Sequence, residues 1–502
     1  MILFICVSIY LIITIAVGLF AARKVSGAKD YMVAGRSLPL YVNMATVFAT
    51  WFGAETVLSV SATFAKDGLN GIPADPFGAS ACLVIVALFF ARAFYRLDLL
   101  TIGDFYRKRY GKQIEILTSL AITISYLGWT SAQLTALGLV ILVLTQGYVG
   151  LNAAILIGAV IVVFYTFWGG MWSVAMTDVM QTVVILVGLI LVAWLVGDMA
   201  GGPAKVIETA RASGKFEFWP TGKTGDWWAF IAAFLTVAIG SIPQQDIFQR
   251  VTSAKDEKTA VRGTLIGGTV YFFFAFVPMF IAIAAIIIDP KVVELFKAED
   301  AREVQRILPD LILARTPLWA QILFFGALLS AILSTASGAL LAPTSLFTEN
   351  VIRPLMPKID DAKFLKLLRV VLICFSLAAL VFALNSRQTM YEIIQSAYKV
   401  TMVAAFVPLA VGLFWRGATT QGALLSLVAG LVVWIASEFG VIAWPLAADV
   451  KANAVMPPQI NGFIAAVVGM VIGSVLPQVM TNRGQSIDSI KASLPLSLTP
   501  LN

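Results

Sequence analysis

The 502-residue chain contains no histidine. That absence removes imidazole acid–base catalysis, histidine haem ligation and most zinc sites. Only three cysteines occur, Cys6, Cys82 and Cys374, each inside an apolar run. They read as small buried residues and give no disulfide framework. Charge is also scarce: Asp, Glu, Lys and Arg make up 13% of the residues. A soluble protein of this size needs far more charge to cover its surface. Long polar segments are missing too, and the tail after Gln478 is short, so no independent extramembrane domain is expected. Without histidine or clustered catalytic carboxylates, no enzyme is expected.

What is present is apolar: 59% of residues are hydrophobic and the mean hydropathy is +0.90. The chain reads as an all-α polytopic membrane protein. Thirteen spans are expected, at 2–20, 39–65, 77–97, 114–146, 150–167, 177–199, 228–248, 264–288, 318–346, 367–385, 393–415, 418–440 and 459–480. The first run, Ile2 to Phe20, lacks a basic leader and reads as a retained helix. The net charge of +7 is read as a topology signal, with no nucleic-acid partner expected. With the N-terminus outside and the C-terminus in the cytoplasm, inner connections hold 22 of the 35 Lys and Arg and outer ones 12. Lys399 lies in a span. A plasma membrane location, in a bacterial inner membrane, is expected.

Two spans are interrupted at mid-length. "ATVFATWFGAETVLSVSATF" carries Gly53 and Glu55; "FLTVAIGSIPQQDIFQR" carries Gly240, Pro243, Gln244, Gln245 and Asp246. Five spans from one break to the other place them at matching positions of two inverted halves, the pattern of a secondary transporter with a midplane site. Packing is the alternative, since Gly and Pro are common in membrane helices. One transport domain, 1–502, is therefore expected. It comprises an extra helix and inner loop (1–38), a first repeat (39–199), a second repeat (228–416) and C-terminal helices with a tail (417–502).

The ninth expected span is unusually rich in hydroxyls: Ser330, Ser334, Thr335, Ser337, Thr344 and Ser345. Na⁺, a small hard cation, takes several oxygen ligands. Ala331, Ser334 and Thr335 share one helix face by spacing. Unwound carbonyls near Ala49 and Phe52 would complete a shell. The competing reading is that these hydroxyls bond back to their own helix or bind neighbouring helices together.

The segment "FWGGMWSVAMTDVMQ" (Phe167 to Gln181) resembles a stretch of the sodium:solute symporters. So do "DYMVAGRSLP", "TIGDFYRKRYG", "QRVTSAKDEKTA", "SAILSTASGALL" and "FVPLAVGLFWRGATTQGA", in order along the chain. The resemblance implies the 5+5 inverted-repeat fold of the leucine transporter and Na⁺-driven alternating access. It also implies sodium ligands at Ala49, Phe52, Ala331, Ser334 and Thr335. Asp178 and Ser337 match a second sodium site of some members, but Gly338 stands where its other hydroxyl belongs. The substrate set is expected to be Trp51, Glu55, Thr56, Trp129, Gln133, Gln244 and Gln245. Trp51 and Trp129 suit a cationic headgroup or helix packing. Asp246 and Lys399 are gating candidates; Lys399 pairs with a carboxylate, snorkels, or meets a substrate carboxylate. Expected partners are sodium, a small organic solute (an amino acid, quaternary amine or carboxylate) and the lipid bilayer, with function as a monomer. The alternatives are an H⁺-coupled carrier using Asp178, Asp246 or Glu55, and a transporter-like sensor.

Overall fold

The computed structural model describes residues 2–222, 224–298, 300–441, 456–480 and 484–485. Lys223, Lys451, Arg483, Lys491 and the C-terminus lie outside the described residues. The membrane helices are α1 (Ile2–Ala22), α2 (Leu40–Trp51), α3 (Glu55–Asp67), α4 (Pro73–Arg96), α5 (Lys112–Leu144), α6 (Leu151–Phe164), α7 (Thr166–Met199) and α8 (Thr224–Ala238). The chain continues with α9 (Gln245–Ser253), α10 (Glu257–Ile288), α11 (Leu318–Phe347), α12 (Asp361–Asn385), α13 (Met390–Phe414), α14 (Thr420–Glu438) and α15 (Pro458–Val475).

Ten helices among the described residues are long and apolar enough to span a membrane, or eleven if the bent α2–α3 pair counts as one. Thirteen is not reached, for two local reasons. Helix α6 is only a shorter apolar helix, and the run after it is interrupted at Gly170 (φ 48°, ψ −141°), a conformation that only glycine adopts readily. Helix α8 stops at Ala238, where Gly240 and Pro243 interrupt the expected span 228–248.

Helix α11 is the central post. It packs on α5, on the α6–α7 run, on α1 and on α2. Its middle is buried on all sides, which a helix permits because nearly every backbone group is paired within it; the Ala339 carbonyl left free by Pro343 accepts from Thr130 Oγ1 at 3.0 Å. Pro343 sits inside α11 without ending it. Helix α1, by contrast, exposes Ile2, Phe4, Ile9, Ile12 and Phe20, an apolar face suited to acyl chains. Cys374 is likewise exposed and Cys6 half-buried, so only Cys82 matches the buried role expected of all three.

The connections expected inside meet at one end. Arg96 pairs with Glu257 at 2.8 Å, Thr101 Oγ1 donates to Asn350 at 2.6 Å, and Leu38 bridges to Ala254. The connections expected outside meet at the other: Leu69 N donates to Lys215 O at 2.8 Å and Met390 N to Gln305 Oε1 at 3.2 Å. Two basic residues counted as loop charges are not loop residues. Arg109 and Arg250 are each 2% exposed; Arg109 bonds backbone carbonyls, and Arg250 sits on buried α9.

Candidate functional site

The first break bends the chain by 53° between α2 and α3. Helix α2 ends at Trp51, Phe52 leaves helical geometry (φ −85°, ψ 76°), and the chain resumes at Glu55 in a wide π-type turn. Carbonyls just before such a break lose their intrahelical donors and look for others. Two side chains of α11 supply them. Ser334 Oγ donates to Ala49 O at 2.8 Å; Thr335 Oγ1 lies 3.3 Å from Ala49 O and 3.2 Å from Thr50 O. Ser334 Oγ is also 3.1 Å from Ala331 O. Thus Ala49, Ala331, Ser334 and Thr335 bring two hydroxyls and two carbonyls together, fully buried, with Phe52 at the adjacent break. A neutral, all-oxygen cluster of this kind fits a small hard monovalent cation, whose charge would take the place of the hydroxyl hydrogens.

The other hydroxyls of α11 behave differently. Ser330, Ser337 and Thr344 bond back to Gly326, Ser334 and Leu340 of the same helix. Ser345 Oγ accepts from Gln249 Nε2 at 3.2 Å.

A second centre lies beside the first break. A cavity with about 20 Å³ of water-accessible volume is walled by Trp51, Trp129, Tyr391, Tyr398, Glu55 and Asp75, with neither Lys nor Arg in its lining. That space suffices for about one water and falls far short of an organic solute, so the cavity is contracted. Trp51 stacks on Tyr398 with ring centroids 6.5 Å apart, and Trp129 tilts against Tyr398 at 6.4 Å. Glu55 accepts from Gln133 Nε2 at 2.7 Å. Gln133 Oε1 is buried with no hydrogen-bond partner among the described residues. Asp75 was absent from the expected set, as were Tyr391 and Tyr398. Asp75 accepts from the hydroxyl of Tyr271, and Thr56 Oγ1 lies 3.4 Å from it and 3.3 Å from Tyr271 OH. Thr56 therefore positions Asp75 and does not line the cavity.

The residues of the second break take other places. Gln244 Nε2 bonds Ser125 Oγ at 3.0 Å, and Gln245 Oε1 accepts from Ile102 N at 2.8 Å; neither lines the cavity. Asp246 accepts from Tyr126 OH. Lys399 Nζ lies 3.7 Å from Glu438 Oε1, also away from the cavity lining. Asp178 is fully buried, and neither of its oxygens has a hydrogen-bond partner among the described residues. Ser337 does not reach it, being turned back to Ser334 O at 2.9 Å.

The family model described as "Sodium:solute symporter family" matches residues 31–430, most of the chain. The chain belongs to that family. This symporter is 27% identical over 446 residues to the high-affinity choline transporter 1 of Caenorhabditis elegans, covering 84% of this chain and 76% of that one. It is also 27% identical over 461 residues to the high affinity choline transporter 1 of Homo sapiens, covering 86% and 76%. Its fold matches the solved structure of a substrate-bound, outward-open Na⁺-coupled sialic acid symporter with a TM-score of 0.78. That match has 20% identity and covers 95% of this chain and 98% of the other. The symporter is thus a multi-pass membrane transporter coupling a solute to Na⁺.

Proposed function

We propose that this symporter takes up a small organic cation, a quaternary or protonated amine, together with Na⁺. The observation that carries the reading is the contracted cavity: four aromatic rings and two carboxylates, with no cationic side chain in its wall. Ring faces and carboxylates attract a desolvated cation by about 2 kcal/mol or more per good ring contact. An anionic solute would meet Glu55 and Asp75 without a counter-charge. The high-affinity choline transporters among the relatives support the same solute class. Glu55, with its neighbours Trp129 and Gln133, contacts the solute; Asp75 is already engaged by Tyr271 and sets the field of the outer wall.

Sodium binds at Ala49, Phe52, Ala331, Ser334 and Thr335. Residues 39–199 and 228–416 form the two inverted halves, and the Lys and Arg bias places the N-terminus outside and the C-terminus in the cytoplasm of a plasma membrane. The ion bridges the break in α2–α3 to α11, so its binding favours whichever state holds these elements together. One charge crossing about 100 mV yields roughly 2.3 kcal/mol and a tenfold Na⁺ gradient about 1.4 kcal/mol. A cationic solute adds its own charge, about 2.3 kcal/mol more.

Proteoliposomes loaded without Na⁺ provide the test. Radiolabelled choline should accumulate when Na⁺ is added outside, while proline and sialic acid should not. Glu55→Gln should weaken choline uptake at least tenfold. Uptake of a neutral or anionic solute with choline excluded would refute the reading.

A further inference from the structure

The place where some family members hold a second sodium is built differently here. Asp178 on α7 is fully buried, with both oxygens unpartnered. Arg250 on α9 is also buried; its Nε donates to Thr50 Oγ1 at 2.9 Å, and its Nη1 and Nη2 have no hydrogen-bond partner among the described residues. Asp246 lies four residues earlier on the same helix as Arg250. A β-carbon built on Gly338 of α11 would lie 2.6 Å from Arg250 Nη2. A serine at that position, the hydroxyl that a second sodium site would need, and the guanidinium therefore compete for one space. Here glycine leaves the space open and arginine fills it.

We infer that Arg250, admitted by Gly338, is a built-in cation standing in for the second sodium, so that each transport cycle carries one Na⁺. The inference rests on the sodium assignment made above.

The test counts bound ions and needs no solute. Purified symporter is titrated with ²²Na⁺ in a scintillation proximity assay, with protein concentration fixed by amino-acid analysis. One Na⁺ per protein with a Hill slope of one is expected, and none in the Ser334→Ala/Thr335→Ala variant that still elutes as a monodisperse peak. Two ions per wild-type protein, or a Hill slope approaching two, overturns the inference. So does one ion that survives in the double variant, because the ion would then sit elsewhere. Wild-type protein that binds no Na⁺ overturns the inference by a separate route, through failure of the sodium assignment itself.

Discussion

Two polar centres flank α2, and they handle charge in opposite ways. Around Ala49, Ser334 and Thr335 every group is neutral and every hydroxyl already donates to a carbonyl. Around Arg250 the charge is fixed on the chain, and most polar atoms of Asp178 and Arg250 have no hydrogen-bond partner among the described residues. The first centre can exist without a guest, since its hydroxyls satisfy the carbonyls when no cation does. That suits a cation that must bind and leave in each cycle. The second carries its cation covalently attached to the chain and has nothing to exchange. Reversible coupling belongs with neutral oxygens, and permanent charge belongs with structure.

The largest effect should come from removing the permanent charge. Arg250→Met removes a buried positive charge and its bond from Nε to Thr50 Oγ1, a change expected to cost about 1.5–3 kcal/mol. A large fall in the melting temperature of the detergent-purified protein is expected, in Na⁺-free buffer as well as in Na⁺. If the variant melts like wild type, the guanidinium does not contribute to holding the bundle together.

The opposite signature is expected at the neutral centre. Ser334→Ala with Thr335→Ala should melt only modestly below wild type without Na⁺, because the Ala49 and Thr50 carbonyls lose their donors, but should lose in addition the whole stabilisation that Na⁺ gives, since a ligand stabilises only what it binds. In uptake assays the half-maximal Na⁺ concentration should rise at least tenfold, equivalent to about 1.4 kcal/mol. Unchanged Na⁺ dependence would reduce both hydroxyls to helix packing and erase the contrast between the centres.

Much of this was legible in the sequence, though unevenly. The apolar runs, both breaks and the face shared by Ala331, Ser334 and Thr335 follow from spacing alone. Which hydroxyls leave their own helix does not: Ser337 and Ser334 look equivalent as residue types, and only the position of the Phe52 break decides that Ser334 crosses to Ala49. Asp75 was hidden because 66–76 reads as an outer connection, yet Tyr271 and Thr56 hold it at the cavity. Gln245 misled for the converse reason. A polar residue at a break suggests a solute contact, but the buried backbone amide of Ile102, at a helix N-terminus, claims it. Arg250 was hidden by its neighbours; next to Lys255 and Lys258 it reads as one more loop charge, and only the fold shows it buried.

The smallest change separates oxygen from shape. Thr335→Ser keeps the hydroxyl and removes one methyl group from a fully buried position. If Thr335 serves as an oxygen ligand, Na⁺ affinity should shift by less than about threefold, and the lost methyl should appear instead as a modest drop in stability, on the order of 1 kcal/mol. If Thr335 serves mainly to wedge α11 against the break, the result should invert, with affinity following stability because the carbonyls of Ala49 and Thr50 would drift from their present positions. Measuring the half-maximal Na⁺ concentration and the melting temperature on the same preparation distinguishes the two. Serine also has more rotamer freedom than β-branched threonine, so its hydroxyl is less firmly aimed. A small affinity loss without any stability change would therefore assign the threonine methyl to orienting the oxygen, and would place the specificity of the neutral centre in how rigidly its donors are held.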